Sequence, residues 1–517
     1  MKGKNDSCLE FANGASHSPA PPPDGPPPTG REHRDPYPAL RFPGFRRFVF
    51  PNFLFLLFRQ GLAVAIAWQV YQWTHSAAAI GFIGFVNVIP LLLFVLPAGV
   101  LADRVDRRKI NFVTMGLSFV FSVALVLCTQ FHDLIPRDNA PLNAANDFIR
   151  DAALFFTSES DKAGIHFDNI ALPIVFLLQF LHSAARVIGN PARAALIPQL
   201  VPQKVIPNAF ILNSTAFELS STLGPPLGGL IAGLSFGGAS VTGFTLVYAL
   251  DALFSLLLAF TFTRIKLNAP EEESEKPRSP RDATAADENP VRRPPAPQSG
   301  AQPVPGDNPG ALAGVSFIWK HKPVLAAITL DLFAVLLGGV VALYPIYAES
   351  ILASDYIKSS LALGLLRGAL PCGAFIMALV LVRMPPFKRP GRVLLWTVFG
   401  FGAATLVFAV SKSLPLSLAA LFLSGMCDNV SVVIRHTLVQ MLTPNHLRGR
   451  VTSVNQLFIG SSNEISEFRG GMMAAGFGAR AAASIGAWCI LGVVGAVGLL
   501  FPGLRKLPPL QDLKPEK

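Results

Sequence analysis

Eleven ionisable side chains stand inside long apolar stretches of this chain: Arg59, Arg186, Glu218, Asp251, Asp331, Arg367, Asp428, Arg435, Glu464, Glu467 and Arg469. A charge at the centre of an apolar helix costs about 2.5–3.5 kcal/mol on insertion scales, so such residues default to a functional reading. Two kinds of chemistry suit them. A carboxyl that alternates between watery and apolar surroundings can load and release a proton, and a nearby arginine competes with that proton. Alternatively, an acid and a base form a fixed ion pair that ties two helices together. Depth within the stretches singles out Glu218, Asp331 and Asp428 as proton-coupling residues, with Arg59 as the deep cation. A fixed Arg59–Asp331 pair is the competing reading. Glu464 and Glu467 are three residues apart and share a helix face, with Arg469 close by. Asp428 and Arg435, seven apart, also share one. His182 and His436 read as hydrogen-bonded packing residues rather than proton relays.

Other chemistries lack their residues. There is no G-x-x-x-x-G-K-[ST] phosphate loop, no G-x-S-x-G nucleophile turn and no H-E-x-x-H zinc helix. Five scattered cysteines (Cys8, Cys128, Cys372, Cys427, Cys489) have no C-x-x-C spacing and read as small packing residues. No enzymatic activity, cofactor or metal is expected. Gln60, Trp68, Gln69 and Asn87 are placed to line an amphipathic path, while Trp73 fits the interfacial aromatic belt.

The elements that must hold these charges follow from hydropathy. The 517 residues are 51% hydrophobic and only 15% charged, with a mean hydropathy of +0.46; soluble domains carry about 25% charged residues. Twelve apolar spans, 48–73, 79–101, 110–130, 170–194, 207–233, 242–263, 324–348, 359–382, 392–411, 415–441, 450–476 and 481–502, are each long enough to cross a hydrocarbon core of roughly 30 Å. The fold class is therefore an all-α integral membrane protein. The net charge of +11 does not indicate nucleic acid, because the bases sit in short loops beside the spans.

Loop bases set the orientation. Arg104, Arg107, Arg108, Lys109, Arg193, Lys204, Arg383, Lys388, Arg389, Arg392, Arg448 and Arg450 fall on one side; Lys358, Lys412, Arg480, Arg137, Arg150 and Lys162 fall on the other. The richer side, with both termini, is expected to be cytoplasmic. Residues 1–47 form a proline-rich tail expected to be disordered, 48–263 a first six-helix bundle, 264–322 a cytoplasmic linker, 323–503 a second bundle and 504–517 a short tail. Residues 311–320 suit a short amphipathic helix at the membrane surface. The acidic segment 131–169 between spans three and four has no clear period and reads as a tolerated extracytoplasmic insertion rather than a lid.

The bundles are related by sequence. A shift of 242 residues lays 193–232 on 435–474 without a gap, matching Arg193 with Arg435, Pro202 with Pro444, Asn213 with Asn455, Ser220 with Ser462, and Gly228 and Gly229 with Gly470 and Gly471. Two parallel six-helix repeats imply a pseudo-two-fold axis along the membrane normal and a cavity between the halves. The same shift lays Arg186 on Asp428, which suggests opposite charges facing across that cavity.

Three motifs carry a family resemblance. Gly99-x-Leu-Ala-Asp103-Arg104-x-x-Arg107-Arg108 resembles the turn between helices 2 and 3 of the major facilitator superfamily, with Asp106 where glycine is common. Gly224-Pro225-Pro226-Leu227-Gly228-Gly229 resembles the helix 5 motif of its proton-coupled exporters, with Ser220 in place of a usual glycine. The runs from Asn190 to Pro198, Asp428 to Arg435 and Arg448 to Phe468 are similar to its enterobactin-exporter-like branch. The resemblance implies two pseudo-symmetric six-helix bundles working by alternating access. It implies that Gly99, Asp103, Arg104, Arg107 and Arg108 form a latch, Asp103 facing the start of helix 11 near Arg448 and Arg450. It also implies export of an amphipathic drug, siderophore or metabolite in exchange for protons. Expected partners are that small molecule, protons and membrane lipid, with no nucleic acid, in a monomer of a bacterial inner membrane. An importer on the same fold and a non-transporting sensor or scaffold are the alternatives.

Overall fold

In lipid, a long apolar run has one stable solution, a helix that satisfies its own backbone polar groups. The computed structural model is built from such helices. It describes residues 38–136, 139–159, 162, 165–167, 169–234, 242–265, 312–352, 357–381, 383–384, 387–444, 447–505 and 507–508. Of the helices among them, twelve build the two halves: α1 (Pro43–Thr74), α2 (Ala77–Arg104), α3 (Arg107–Gln130), α4 (Leu172–Leu196), α5 (Ile206–Ala232), α6 (Gly243–Arg264), α7 (Lys322–Gly338), α8 (Ser359–Leu381), α9 (Pro390–Val410), α10 (Leu414–Leu442), α11 (Arg448–Phe477) and α12 (Ala479–Leu500). Ten of them are long and apolar enough to cross a membrane. The other two, α5 and α11, carry denser polar sequence: Asn213 to Thr222 in α5, and Glu464, Glu467 and Arg469 in α11.

The α2–α3 turn needs only Val105 and Asp106, because Asp106 caps α3. Its Oδ1 accepts from Arg108 N at 2.8 Å, and Arg108 Nη2 donates to Oδ2 at 3.0 Å. Those bonds from Arg108 hold the exposed Asp106 carboxyl below the usual carboxylate range.

The second half is interrupted once in its first helix. α7 stops at Gly338 and resumes as short turns from Val341 to Ile351. The carbonyls near this break are met from α11: Ser466 Oγ donates to Val335 O (2.8 Å), Arg469 Nε to Leu336 O (3.0 Å) and Nη2 to Gly339 O (3.4 Å). Neighbouring side chains thereby make irregular backbone tolerable at membrane depth. Arg469 thus serves the backbone of α7 rather than Glu464 or Glu467.

Packing follows the repeat. Within the first half α1 lies on α5, α2 on α4 and α3 on α6; within the second α7 lies on α11, α8 on α10 and α9 on α12. Between halves α2 runs along α11 and α5 along α8, a pair that the pseudo-two-fold exchanges. The two ends of the bundle differ. On the face bearing segment 131–169, one core of buried residues draws on both halves, including Tyr71, Ile80 and Phe167 with Tyr347, Leu363 and Met472. On the basic face, the buried clusters stay within one half each: Phe48, Met115 and Phe262 in the first, and Leu330, Ile434 and Ile490 in the second. Among the described residues, a buried core shared by both halves lies at one face and none at the other.

Against the expectation of no clear period, segment 131–169 holds an amphipathic helix, Ala140–Phe156, with apolar residues such as Ile149 and Ala153 at helical spacing. Asn139 caps it, Oδ1 accepting from Leu142 N at 3.3 Å. Beyond it Ser158 N donates to Ala475 O on α11 (3.0 Å), and His166 N to Thr74 O at the end of α1 (3.1 Å). The segment therefore touches both halves at the joined face. A helix also forms at Leu312–Lys320, burying Phe317 and Ile318 against Val439 and Val451 and leaving Trp319 exposed. The proline-rich tail up to residue 37 and linker residues 266–311 lie outside the described residues.

Candidate functional site

The intramembrane charges sort into four groups. In the first half, Arg59 on α1 contacts the ring of His182 on α4 and lies 4.0 Å from Asp251 on α6. Ser122 on α3 donates to Asp251 Oδ2 at 2.6 Å and lies 3.1 Å from His182 Nε2. His182 and Asp251 are wholly buried. Four helices meet at this polar knot, in which Asp251 Oδ1 is left without a donor among the described residues. Arg59 therefore pairs with Asp251, not with Asp331, as helix rotation directs it into its own half.

In the second half, Asp331 on α7 pairs with Arg435 on α10, and both are buried. The third group lies between the halves. Arg186 on α4 reaches Glu464 on α11 at 3.3 Å, and Arg367 on α8 reaches Glu467 at 3.4 Å while donating to Ala63 O on α1 at 3.0 Å. The two glutamates, one turn apart on α11, thus take one arginine from each half. Arg186 meets Glu464 rather than Asp428. The fourth group is Glu218 on α5 and Asp428 on α10, close enough for their charges to interact. Neither has an ion-pair partner among the described residues.

The Gly224–Gly229 segment lies at a three-helix crossing. A Cβ on Gly224 would come within 2.5 Å of Leu57 O, and one on Gly228 within 2.3 Å of Gly61 Cα, both on α1. On the other side of α5, a Cβ on Gly229 would meet Ser360 O at 2.2 Å, and one on Gly364 of α8 would meet Pro225 O at 2.5 Å. The glycines thus let α1, α5 and α8 touch backbone to backbone, as small residues do between membrane helices. Gly81 and Gly471 make the equivalent crossing of α2 and α11.

The α2–α3 turn sits on the basic face. Arg107 Nη1 donates to Ala195 O near the end of α4 (3.0 Å), and Arg108 Nη1 to Ile265 O just past α6 (3.5 Å). Both therefore cap helix ends in their own half. Arg104 is exposed and Gly99 has open space around it. The expected Asp103 contact with Arg448 and Arg450 concerns side chains outside the described residues.

Sequence reasoning undervalued His182, whose burial beside two charges no local pattern announces. It also passed over Gly61, Gly364 and Gly368, although small residues spaced along apolar helices are a usable signal.

The family model described as Major Facilitator Superfamily matches residues 48–465. The enterobactin exporter EntS of Salmonella choleraesuis (strain SC-B67) is 24% identical over 490 residues, covering 91% of this chain and 96% of that protein. EntS of Citrobacter koseri (strain ATCC BAA-895 / CDC 4225-83 / SGSC4696) is 24% identical over 483 residues, covering 92% and 96%. Among solved structures, a bacterial homolog of the human lysosomal transporter Spinster, in an inward-facing and occupied conformation, superposes with a TM-score of 0.60 at 14% identity, covering 91% of this chain and 99% of that one.

Proposed function

The chain belongs to the major facilitator superfamily and is a multi-pass membrane transporter, and we propose that it is a secondary exporter that carries an amphipathic small molecule out of the cytoplasm in exchange for protons. The observation carrying the alternating-access part is the contrast between the faces: among the described residues, one buried core joins both halves at one face and none does at the basic face. The basic face is the cytoplasmic one by its loop charges, and the weaker joint there suits a conformation open to the cytoplasm. The membrane is a bacterial inner membrane, as for a relative of the enterobactin exporters.

The proton part rests on which acids lack a base. Asp251, Asp331, Glu464 and Glu467 each stand beside an arginine. Among the described residues Glu218 and Asp428 have no such partner, and they stand in opposite halves close enough for their charges to interact. Two like charges in one cleft disfavour double ionisation, so one proton shared there is released when the cleft changes shape or a substrate intervenes. Asp331, proton-coupling by depth alone, is assigned instead to structure through its pair with Arg435. Arg59 belongs to the first-half knot. Asp103 and the neighbouring bases form the latch that engages when the cytoplasmic face closes.

Proton release on adding amphipathic compounds to detergent-purified protein tests this reading. Wild type and Asp331→Asn release protons, whereas Glu218→Gln and Asp428→Asn do not. Saturable binding without release in all four proteins would refute antiport and leave a facilitator.

A further inference from the structure

Arg435 and Arg193 occupy equivalent places in the two repeats, 242 residues apart, yet their surroundings differ. Arg435 on α10 is neutralised by Asp331, the tenth residue of α7. The tenth residue of α1 is Asn52. Arg193 on α4, only 9% exposed, therefore keeps its charge without a counter-ion: among the described residues it makes no ion pair or hydrogen bond, and its Nε is buried and unmatched. Its guanidinium lies over the Phe55 ring, 5.2 Å from the centroid.

Arg193 lines a cavity of about 300 Å³ with Asn52, Asn190, Asn213, Phe217 and Glu218, between α1, α4 and α5 toward the basic face. Asn52 Nδ2 donates to Asn213 Oδ1 at 3.3 Å, leaving the buried Asn52 Oδ1 without a donor. The cavity thus combines an uncompensated cation, an unmatched acceptor, two further amides and an exposed aromatic ring. Other charges near Arg193 are Glu218 in the cavity wall and Arg59 on α1; neither neutralises it.

We propose that this cavity is a recognition subsite for an aromatic anion, the acidic group on Arg193, a donor of the ligand on Asn52 Oδ1 and the ring against Phe217. A desolvated guanidinium with free donors suits a carboxylate or phenolate, where charge-assisted hydrogen bonds are strongest. This deepens the export reading by naming the charge class of the cargo and the place where it first binds. The binding test needs neither transport nor proton exchange, so its failure is separate from failure of antiport.

The full chain in lipid nanodiscs is titrated with benzoate, benzamide and benzylamine, binding being read by saturation-transfer NMR. Benzoate binds at least tenfold more tightly than the other two. Arg193→Gln removes that preference and Arg193→Lys keeps part of it. Asn52→Asp, which gives Arg193 the counter-ion that Arg435 has, removes it too. Equal binding of benzoate and benzamide, no benzoate binding, or a preference untouched by Arg193→Gln and Asn52→Asp overturns the proposal. Should those variants misfold, Ser214→Cys in the cavity wall provides a readout with Arg193 intact. It reacts faster with a negatively charged methanethiosulfonate than with a positively charged one, and benzoate slows it; the reverse order of rates refutes the subsite.

Discussion

The two faces of this transporter are held by different physics. At the joined face the halves meet through glycines, with Gly229 against Ser360 and Gly364 and Gly471 against Gly81. Lipid offers little hydrophobic drive for helix association, so close backbone packing supplies the contact. At the basic face no buried cluster among the described residues crosses between halves, and each half is held by polar groups of its own: Asp331 with Arg435, and Arg107 on the end of α4. A seal of small residues opens when one side chain is added. An ion pair within one half leaves the seal alone.

That contrast can be broken at single positions. The largest effect is expected from Asp331→Asn, because removing one member of a buried pair costs about 3–5 kcal/mol. The detergent-solubilised protein melts at a clearly lower temperature, while the reactivity of a cysteine at Tyr71, in the joined core, is unchanged below the melt. Gly229→Val comes next. Its added atoms collide with Ser360 and Gly364 on α8 of the other half, and overpacking of about 1–3 kcal/mol shifts the balance between faces by roughly 5- to 150-fold. The Tyr71 cysteine then becomes reactive from the outer face, and substrate export falls. Equal export in Gly229→Val and wild type would show that the crossing is not the seal.

Glu464→Gln is milder. Its link to Arg186 crosses the halves but is partly open to solvent, and such pairs contribute about 1 kcal/mol or less. Export falls severalfold without loss of folding, and Arg186→Gln restores part of it by removing the stranded cation. The smallest effect belongs to Asp106→Ala, which removes the cap of α3 at a cost of about 1 kcal/mol. The Asp106 carboxyl is held below its ordinary range, so its contribution is present above about pH 4 and disappears as the pH falls through the lowered value. Melting curves of wild type and variant therefore converge in acid.

Hydropathy and motif spacing made much of this architecture legible. The short α2–α3 turn, the relation of 193–232 to 435–474 and the Gly224–Gly229 segment are local strings, and each stands in the fold where a two-bundle transporter needs it. The helix Ala140–Phe156 escapes that reading although Leu142, Ala145, Ile149, Ala153 and Phe156 recur at helical spacing; its length falls short of a membrane span, and the acids around it make charge the segment's plainest feature.

The sequence by itself determined which charges enter the membrane, because hydropathy counts residues along a chain. The tertiary structure alone decided their partners. Arg186 meets Glu464 across 278 positions and Arg367 meets Glu467 across 100, while Glu218 and Arg193 form no ion pair among the described residues. Partner choice depends on the rotation of each helix about its axis, and that rotation is set by backbone contacts with helices distant in sequence, here by the glycine crossings of α1, α5 and α8 and of α2 and α11.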